Sequence, residues 1–359
     1  MMAGGLSVLR YAGANARVRG LYSHLLDEPT WRHLRLSQDP QVMLEALKAT
    51  AYGGLIDVQR VGFPGAEDLE RRLWGRAALN CRRVMTFVDG PPRQLFLVWW
   101  QHFELENLKA LFRGLDQNME PEQIRRLLIP LGGYSTLPWQ ALLNERSVRG
   151  LIDRLANTHY INPLRAAYPL YQRERSLFAL EVAMDIRYYR DLARAIEALG
   201  GSDREQARRV IGTRLDMLNI LWAFRYRLYH ELSVEEIVNY TLWHTIRTDA
   251  DLVREIALGA EPAYILQRVW GGRAFDAEDL ADLRADDARM LPRLEMLLER
   301  YWWQLARRES SGYPFTLGAL LGYVVLQEIE VLDLITLLEA KIMGWPPERT
   351  AEYLIRSEE

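Results

Sequence analysis

Cysteine, lysine and long apolar runs are scarce in this sequence of 359 residues. A single cysteine, Cys81, excludes an intramolecular disulfide and points to a reducing compartment. The longest apolar stretches are QLFLVWW, ending at Trp100, and LGALLGYVVL, ending at Leu326, far short of the ~18 residues a bilayer-spanning helix needs. The opening segment lacks the uninterrupted apolar centre of a signal peptide. The expectation is a cytoplasmic chain that does not itself cross a membrane.

Motifs for chemistry are missing too. Neither GxxxxGK[ST] nor GxGxxG occurs, so the backbone cradle that P-loop nucleotide hydrolases depend on is excluded, and no direct nucleotide binding and no cofactor are expected. The six histidines (His24, His33, His102, His159, His230, His244) form no HExxH and no HxH pair. His102 and Glu106 share a helix side and Glu104 does not, so a surface or capping role is expected there. Asp276, Asp279, Asp282, Asp286 and Asp287 include no DDxxD and are interleaved with Arg284 and Arg289. They read as a solvated helix face rather than a magnesium site. The arginines after Cys81 would favour a thiolate, but no base stands at a useful spacing, so a small buried residue is expected. A net charge of −3 gives no basic field, and no nucleic-acid partner is expected. Lysine occurs only at Lys48, Lys109 and Lys341, so arginine supplies nearly all of the 45 basic residues, through codon usage or a preference for bidentate pairs.

What is present is an ordinary globular balance, 49% hydrophobic and 26% charged. Apolar residues recur at three- and four-residue spacing through most of the chain, and alternating β-branched runs between tight turns are nearly absent, so the fold class is all-α. Breaks fall at Gly62 to Gly65, Asp89 to Pro92, Pro130 to Pro138, Asn162-Pro163, Gly200 to Asp203, Gly259 to Pro262, Gly271-Gly272, Ser310 to Pro314 and Gly344 to Pro347.

The strongest signal is internal repetition. Phe103 begins FELENLKALFR, Leu215 begins LDMLNILWAFR and Ile329 begins IEVLDLITLLE. Each carries an acid (Glu104, Asp216, Glu330) followed three residues on by Asn107, Asn219 or Asp333. Arg113 and Arg225 hold matching later positions, and Arg227 and Lys341 return to nearly the same helix side as the acid. A second anchor follows each segment: Glu120-Pro-Glu-Gln-Ile124, Ser233-Val-Glu-Glu-Ile237 and Pro346-Pro-Glu-Arg-Thr350, each a helix start with glutamate in its first turn. The acids lie 112 and 114 residues apart, which divides the chain into units 1–128, 129–241 and 242–359. Three such units could pack around a pseudo-threefold axis as a funnel with a central cavity, or stack in a line. The repeated acid, amide and cation suit ties between helices, the architectural reading, or a surface for a partner.

Read together, these features resemble the central-stalk subunits of V-type and A-type ATPases, the C subunit of prokaryotic and the d subunit of eukaryotic enzymes. The resemblance is carried by Tyr11, Asn15 to Gly20, Thr50-Ala-Tyr52, Glu104 to Arg113, Asp185 with Tyr188-Tyr189, Asp216 to Arg225, Pro314-Phe315, Gly318, Tyr323, Glu328, Glu330 and Lys341 to Gly344. Gln327, Asp333 and Glu339 depart from the residues usual there, lysine, asparagine and glycine. The resemblance implies a funnel-shaped, three-part helical protein with no catalytic site of its own. It would sit on the cytoplasmic face of a membrane rotor ring of proteolipid subunits, hold the tip of the central shaft in its cavity, and transmit torque for ATP-driven proton or ion transport or ATP synthesis. The competing readings are a helical-repeat scaffold for proteins or peptides and, last, an all-α enzyme built on the Asp-rich stretch.

Overall fold

The computed structural model describes residues 2–56, 66–230, 232–243, 245–272, 274–284, 287 and 289–356, with backbone alone at 2–9, 66 and 67. The break expected at Gly62 to Gly65, His244 and Asp286 lie outside the described residues. Among the described residues there is no strand. The order begins α1 (Met2–Tyr22), α2 (Glu28–Leu36), α3 (Pro40–Lys48), α4 (Ala66–Met85), α5 (Gly90–Asp116) and α6 (Pro121–Leu127). It continues with α7 (Trp139–Leu143), α8 (Val148–Arg154), α9 (Ile161–Glu174), α10 (Phe178–Glu197), α11 (Gly201–Ala207), α12 (Thr213–Tyr229) and α13 (Val234–Asn239). The last six are α14 (Ala250–Ala257), α15 (Pro262–Trp270), α16 (Ala277–Ala281), α17 (Met290–Ser311), α18 (Leu317–Ile342) and α19 (Pro347–Ala351).

Three helices differ from the rest in having apolar residues on nearly every face: α5, α12 and α18. A helix of that composition must be covered from all sides, so these three form the centres of the packing. They are also the helices that carry the repeated acid and amide. The anchors expected after them start α6, α13 and α19, and two of these are closed by capping boxes, Glu120 with Gln123 and Ser233 with Glu236. The reciprocal bonds occupy amides that a helix start leaves unpaired, which is why those short segments stay helical.

The long helices form a chain of contacts. Helix α4 packs on α5, α5 on α10, α12 on α17, α17 on α18, and α18 back on α4. Between α10 and α12 the path runs through α11 and a π-helical turn, Arg208–Gly212. The α17–α18 contact is close because Gly322 faces the other helix: a Cβ there would lie 2.7 Å from the Ala306 carbonyl oxygen.

Where these helices meet, the interior is filled by aromatic and charged side chains. Trp99 of α5 stacks on Trp302 of α17 with ring centroids 6.3 Å apart, and its indole N–H donates to Glu328 of α18 at 2.9 Å. Arg214 of α12 lies over Trp302 and pairs with Glu299. Trp302 in turn donates its indole N–H to the Val210 carbonyl at 2.8 Å. Val210 sits in the π-helical turn, whose altered ladder presents that carbonyl to a side chain. Truncating Trp302 removes a stacked ring, a buried hydrogen bond and the cover over Arg214. Trp302→Ala should therefore lower stability by roughly 3–5 kcal/mol, read as a lower urea midpoint.

Candidate functional site: a clasp repeated on three buried helices

A carboxylate or amide on an all-apolar helix is buried wherever it points, so it must find partners in whatever covers the helix. Loops provide them, because their backbone N–H groups belong to no helical ladder. On α5, Asn107 donates to the Ile129 carbonyl at 2.9 Å and accepts the Ile129 N–H at 2.7 Å. On α12, Asn219 donates to the Leu242 carbonyl at 3.2 Å and accepts the Leu242 N–H at 2.7 Å. On α18, Asp333 accepts the Ile355 N–H at 2.7 Å and the Arg356 N–H at 2.9 Å. The partner lies 22 or 23 residues downstream each time, so all three contacts pin the same turn of the unit. The third position holds aspartate because its partners are two donors, which a carboxylate satisfies and an amide would oppose.

The acids add a second fastening. Asp216 accepts the backbone N–H groups of Ile246, Arg247 and Thr248 at 3.1, 2.8 and 3.0 Å, and the Thr248 hydroxyl at 3.0 Å. Glu104 accepts the Ser135 hydroxyl, whose oxygen accepts the Trp139 indole N–H at 2.7 Å. Glu330 takes its partners from the other end of the chain, the Leu26 N–H at 2.8 Å and the Tyr52 hydroxyl at 2.6 Å. Burial raises the pKa of Glu104 and Asp216, and it pushes Glu330 up to about 7 and Asp333 up to about 6, against the pull of their hydrogen bonds and of Arg356.

The cations of the repeat do other work. Arg113 forks onto Glu181 at 2.6 and 3.0 Å and joins α5 to α10; Arg225 reaches Glu295 at 3.6 Å and joins α12 to α17. Both arginines are at least partly exposed, so each pair adds little stability by itself and serves mainly to set the register of two helices. Arg227 donates to the Ile256 carbonyl at 2.8 Å at the end of α14, and Lys341 donates to the Ser37 carbonyl at the end of α2. The nine repeat residues thus form three buried clasps (Glu104 with Asn107, Asp216 with Asn219, Glu330 with Asp333), two helix junctions (Arg113, Arg225) and one helix-end contact (Lys341).

Sequence reasoning missed the receiving side: Ser135, the loop around Leu242, Tyr52 as a ligand of Glu330, and the acids Glu181 and Glu295. The last two share the period of the repeat and could have been found by it. His102 does not pair with Glu106; its Nδ1 lies 2.7 Å from the Trp99 carbonyl and its Nε2 3.9 Å from Glu328. Cys81 is fully buried, and burial pushes its thiol well above its ordinary value. Asp276, Asp279 and Asp282 lie exposed around α16, while Asp287 pairs with Arg293 at 3.0 Å. Among the described residues no group of three or more His, Cys, Asp or Glu is placed to hold a metal ion.

The clasps hold backbone, and they generate two predictions. Asn219→Leu leaves the Leu242 N–H and carbonyl buried without partners and should cost roughly 2–4 kcal/mol. Unchanged thermal unfolding combined with lost partner binding would show instead that the clasp is an interface. For Glu330, the raised pKa means that the folded chain keeps a proton which the unfolded chain releases. Its contribution to stability is complete below 4.5 and is lost as pH rises through about 7. Glu330→Gln should flatten the fall in unfolding midpoint between about pH 5 and 8; an identical slope in both proteins would refute the assignment.

Residues 14–353 match the family model described as ATP synthase (C/AC39) subunit. The chain is 23% identical over 346 residues to the C subunit of the A-type ATP synthase of Methanocaldococcus jannaschii, covering 96% of this chain and 86% of that protein. It is 23% identical to the A-type ATP synthase C subunit of Methanosarcina mazei (96% and 92% covered) and 22% identical to that of Archaeoglobus fulgidus (95% and 94%).

Proposed function

The chain belongs to the ATP synthase (C/AC39) subunit family, and from that premise we propose that it is the non-catalytic central-stalk rotor subunit of a V/A-type ATPase, joining the central shaft to the membrane rotor ring. The single observation that carries this reading is the clasp, built three times on three buried helices whose neighbours form a closed chain of contacts. Units of 1–128, 129–241 and 242–359, related by a pseudo-threefold axis, form a funnel around a cavity for the shaft.

Torque transmission needs a body that does not shear, and the geometry supports that use. Each clasp ties a central helix to its own loop, and Arg113–Glu181 and Arg225–Glu295 tie one unit's helix to the next. The repeat residues are thus architectural, and the partners are met by the surfaces around them: proteolipid subunits of the ring on one side, shaft subunits on the other. Among the described residues no helix is long and apolar enough to cross a membrane. That agrees with a peripheral position, reached through the complex; the face proposed is the cytoplasmic one. With no cofactor and no bound nucleotide, the protein links ATP turnover in the head to ion movement in the membrane.

A tagged full-length chain, isolated from detergent-solubilised membranes, should bring down rotor-ring and rotary-head subunits, and the purified chain alone should hydrolyse no ATP. Recovery of no rotary-ATPase subunit would remove the proposal. An elongated solution-scattering profile would favour the linear scaffold.

A further inference from the structure

The third clasp is completed by residues from the first part of the chain. Asp27, Leu34 and Asp39-Pro40 in the α2–α3 hairpin stand 222 residues before Asp249, Ile256 and Glu261-Pro262 in the α14–α15 hairpin. The contacts follow the same register. Leu26 donates its N–H to Glu330 as Thr248, 222 residues on, donates to Asp216. Asp27 caps α2 through the Thr30 N–H as Asp249 caps α14 through the Leu252 N–H. Lys341 reaches the end of α2 as Arg227 reaches the end of α14. In these hydrogen bonds the α2–α3 hairpin stands to α18 as α14–α15 stands to α12, although within the hairpins α18 packs mainly on α3 and α12 mainly on α14.

The same segment is gripped from the other side by the first unit. Arg72 of α4 donates to the Leu55 carbonyl at 3.0 Å, Arg76 of α4 donates to the Ala51 carbonyl, and the Arg76 guanidinium lies 4.8 Å over the Tyr52 ring. Tyr52, only 1% exposed, gives its hydroxyl to Glu330. Residues 23–56 thus cross the α18–α4 junction and are bonded to both helices. The α5–α10 and α12–α17 junctions are bridged by ion pairs between the helices themselves. Beneath the start of the segment, a cleft of 440 Å³ lined by Tyr22, Leu26, Glu28, Trp303 and Leu326 leaves it unpacked against α17. Its attachment at that end rests on the hydrogen bonds to α18 and on Arg356, which donates to the Leu26 carbonyl at 3.1 Å and pairs with Glu28 at 2.8 Å.

We propose that residues 23–56 are a seam strap, with Glu330 as its catch, that completes the last helical unit and ties it to the first, closing the ring against torsional load. The mechanical meaning rests on the ring reading above; the strap itself is a property of the chain alone. Local segments that open as units are read by amide exchange, so hydrogen–deuterium exchange of the full-length protein at one pH tests it. Glu330→Ala removes the acceptor of both Leu26 and Tyr52 and should speed exchange of the α2 and α3 amides at least tenfold, while α14 and α15 exchange as in the wild type. Asp216→Ala should do the reverse, loosening α14 and sparing α2. Tyr52→Phe keeps the ring and loses one hydrogen bond, and should speed the strap alone by about tenfold or less; it decides the matter if Glu330→Ala does not fold. Strap exchange that is unchanged in the folded variants, or that rises equally in both hairpins, would overturn the proposal. Because no partner is present, that failure would leave the family role standing, whereas failed co-isolation with the rotary ATPase would leave the strap standing.

Discussion

A polar side chain on a helix that is apolar all round has one way to be stable: whatever covers the helix must bring it a partner. In this protein the covering loops do so with backbone amides. Asn107 and Asn219 each reserve the amide of one residue 22 or 23 positions downstream, Asp333 reserves two, and Asp216 gathers three consecutive amides from one loop. An unpartnered group at such a site costs a few kcal/mol, comparable to much of a domain's net stability, so the loop path is fixed along with the helix. Helix caps, hairpin positions and junction arginines are arranged around these three points.

The three clasps share a logic and differ in chemistry. Asparagine exchanges one donor and one acceptor with one residue, whereas aspartate accepts from two. The acid draws on a serine hydroxyl in the first clasp, on three backbone amides and a threonine hydroxyl in the second, and on a backbone amide and a tyrosine in the third. Such substitution is possible because the constraint is satisfaction of buried polar atoms, which several donor sets can meet. Buried carboxylates carry a desolvation cost, visible in the raised pKa values of Glu330 and Asp333, which their hydrogen-bond donors and Arg356 partly offset.

Stiffness links these contacts to the rotor role proposed above. Clasps fix loops to helices, arginine–glutamate pairs fix helices to one another, and the packed tryptophans Trp99 and Trp302 with Arg214 and Glu328 lock α5, α12, α17 and α18 at one level. Helices joined this way resist shear against one another, the deformation that torque would impose in that proposed role.

Much of this was legible in the sequence. The helical periods gave the all-α class, and the spacing of Glu104, Asp216 and Glu330 gave the repeat. The second anchors gave the starts of α6, α13 and α19, because glutamate in the first turn of a helix is a local signal. The residues that receive the clasps were hidden, since a backbone amide has no sequence signature and Ser135, Tyr52 and Leu26 look like any loop serine, tyrosine or leucine. His102 illustrates the limit: helical geometry offered Glu106 as its neighbour, and tertiary packing supplied Glu328 from another helix. The sequence by itself determined which helices must be buried and which side chains on them would need partners, because both follow from residue type and a period of 3.6. Only the tertiary structure decided where those partners come from. Proximity in a folded chain is set by packing and not by order, so Glu330, near one end, is satisfied by Leu26 and Tyr52, near the other.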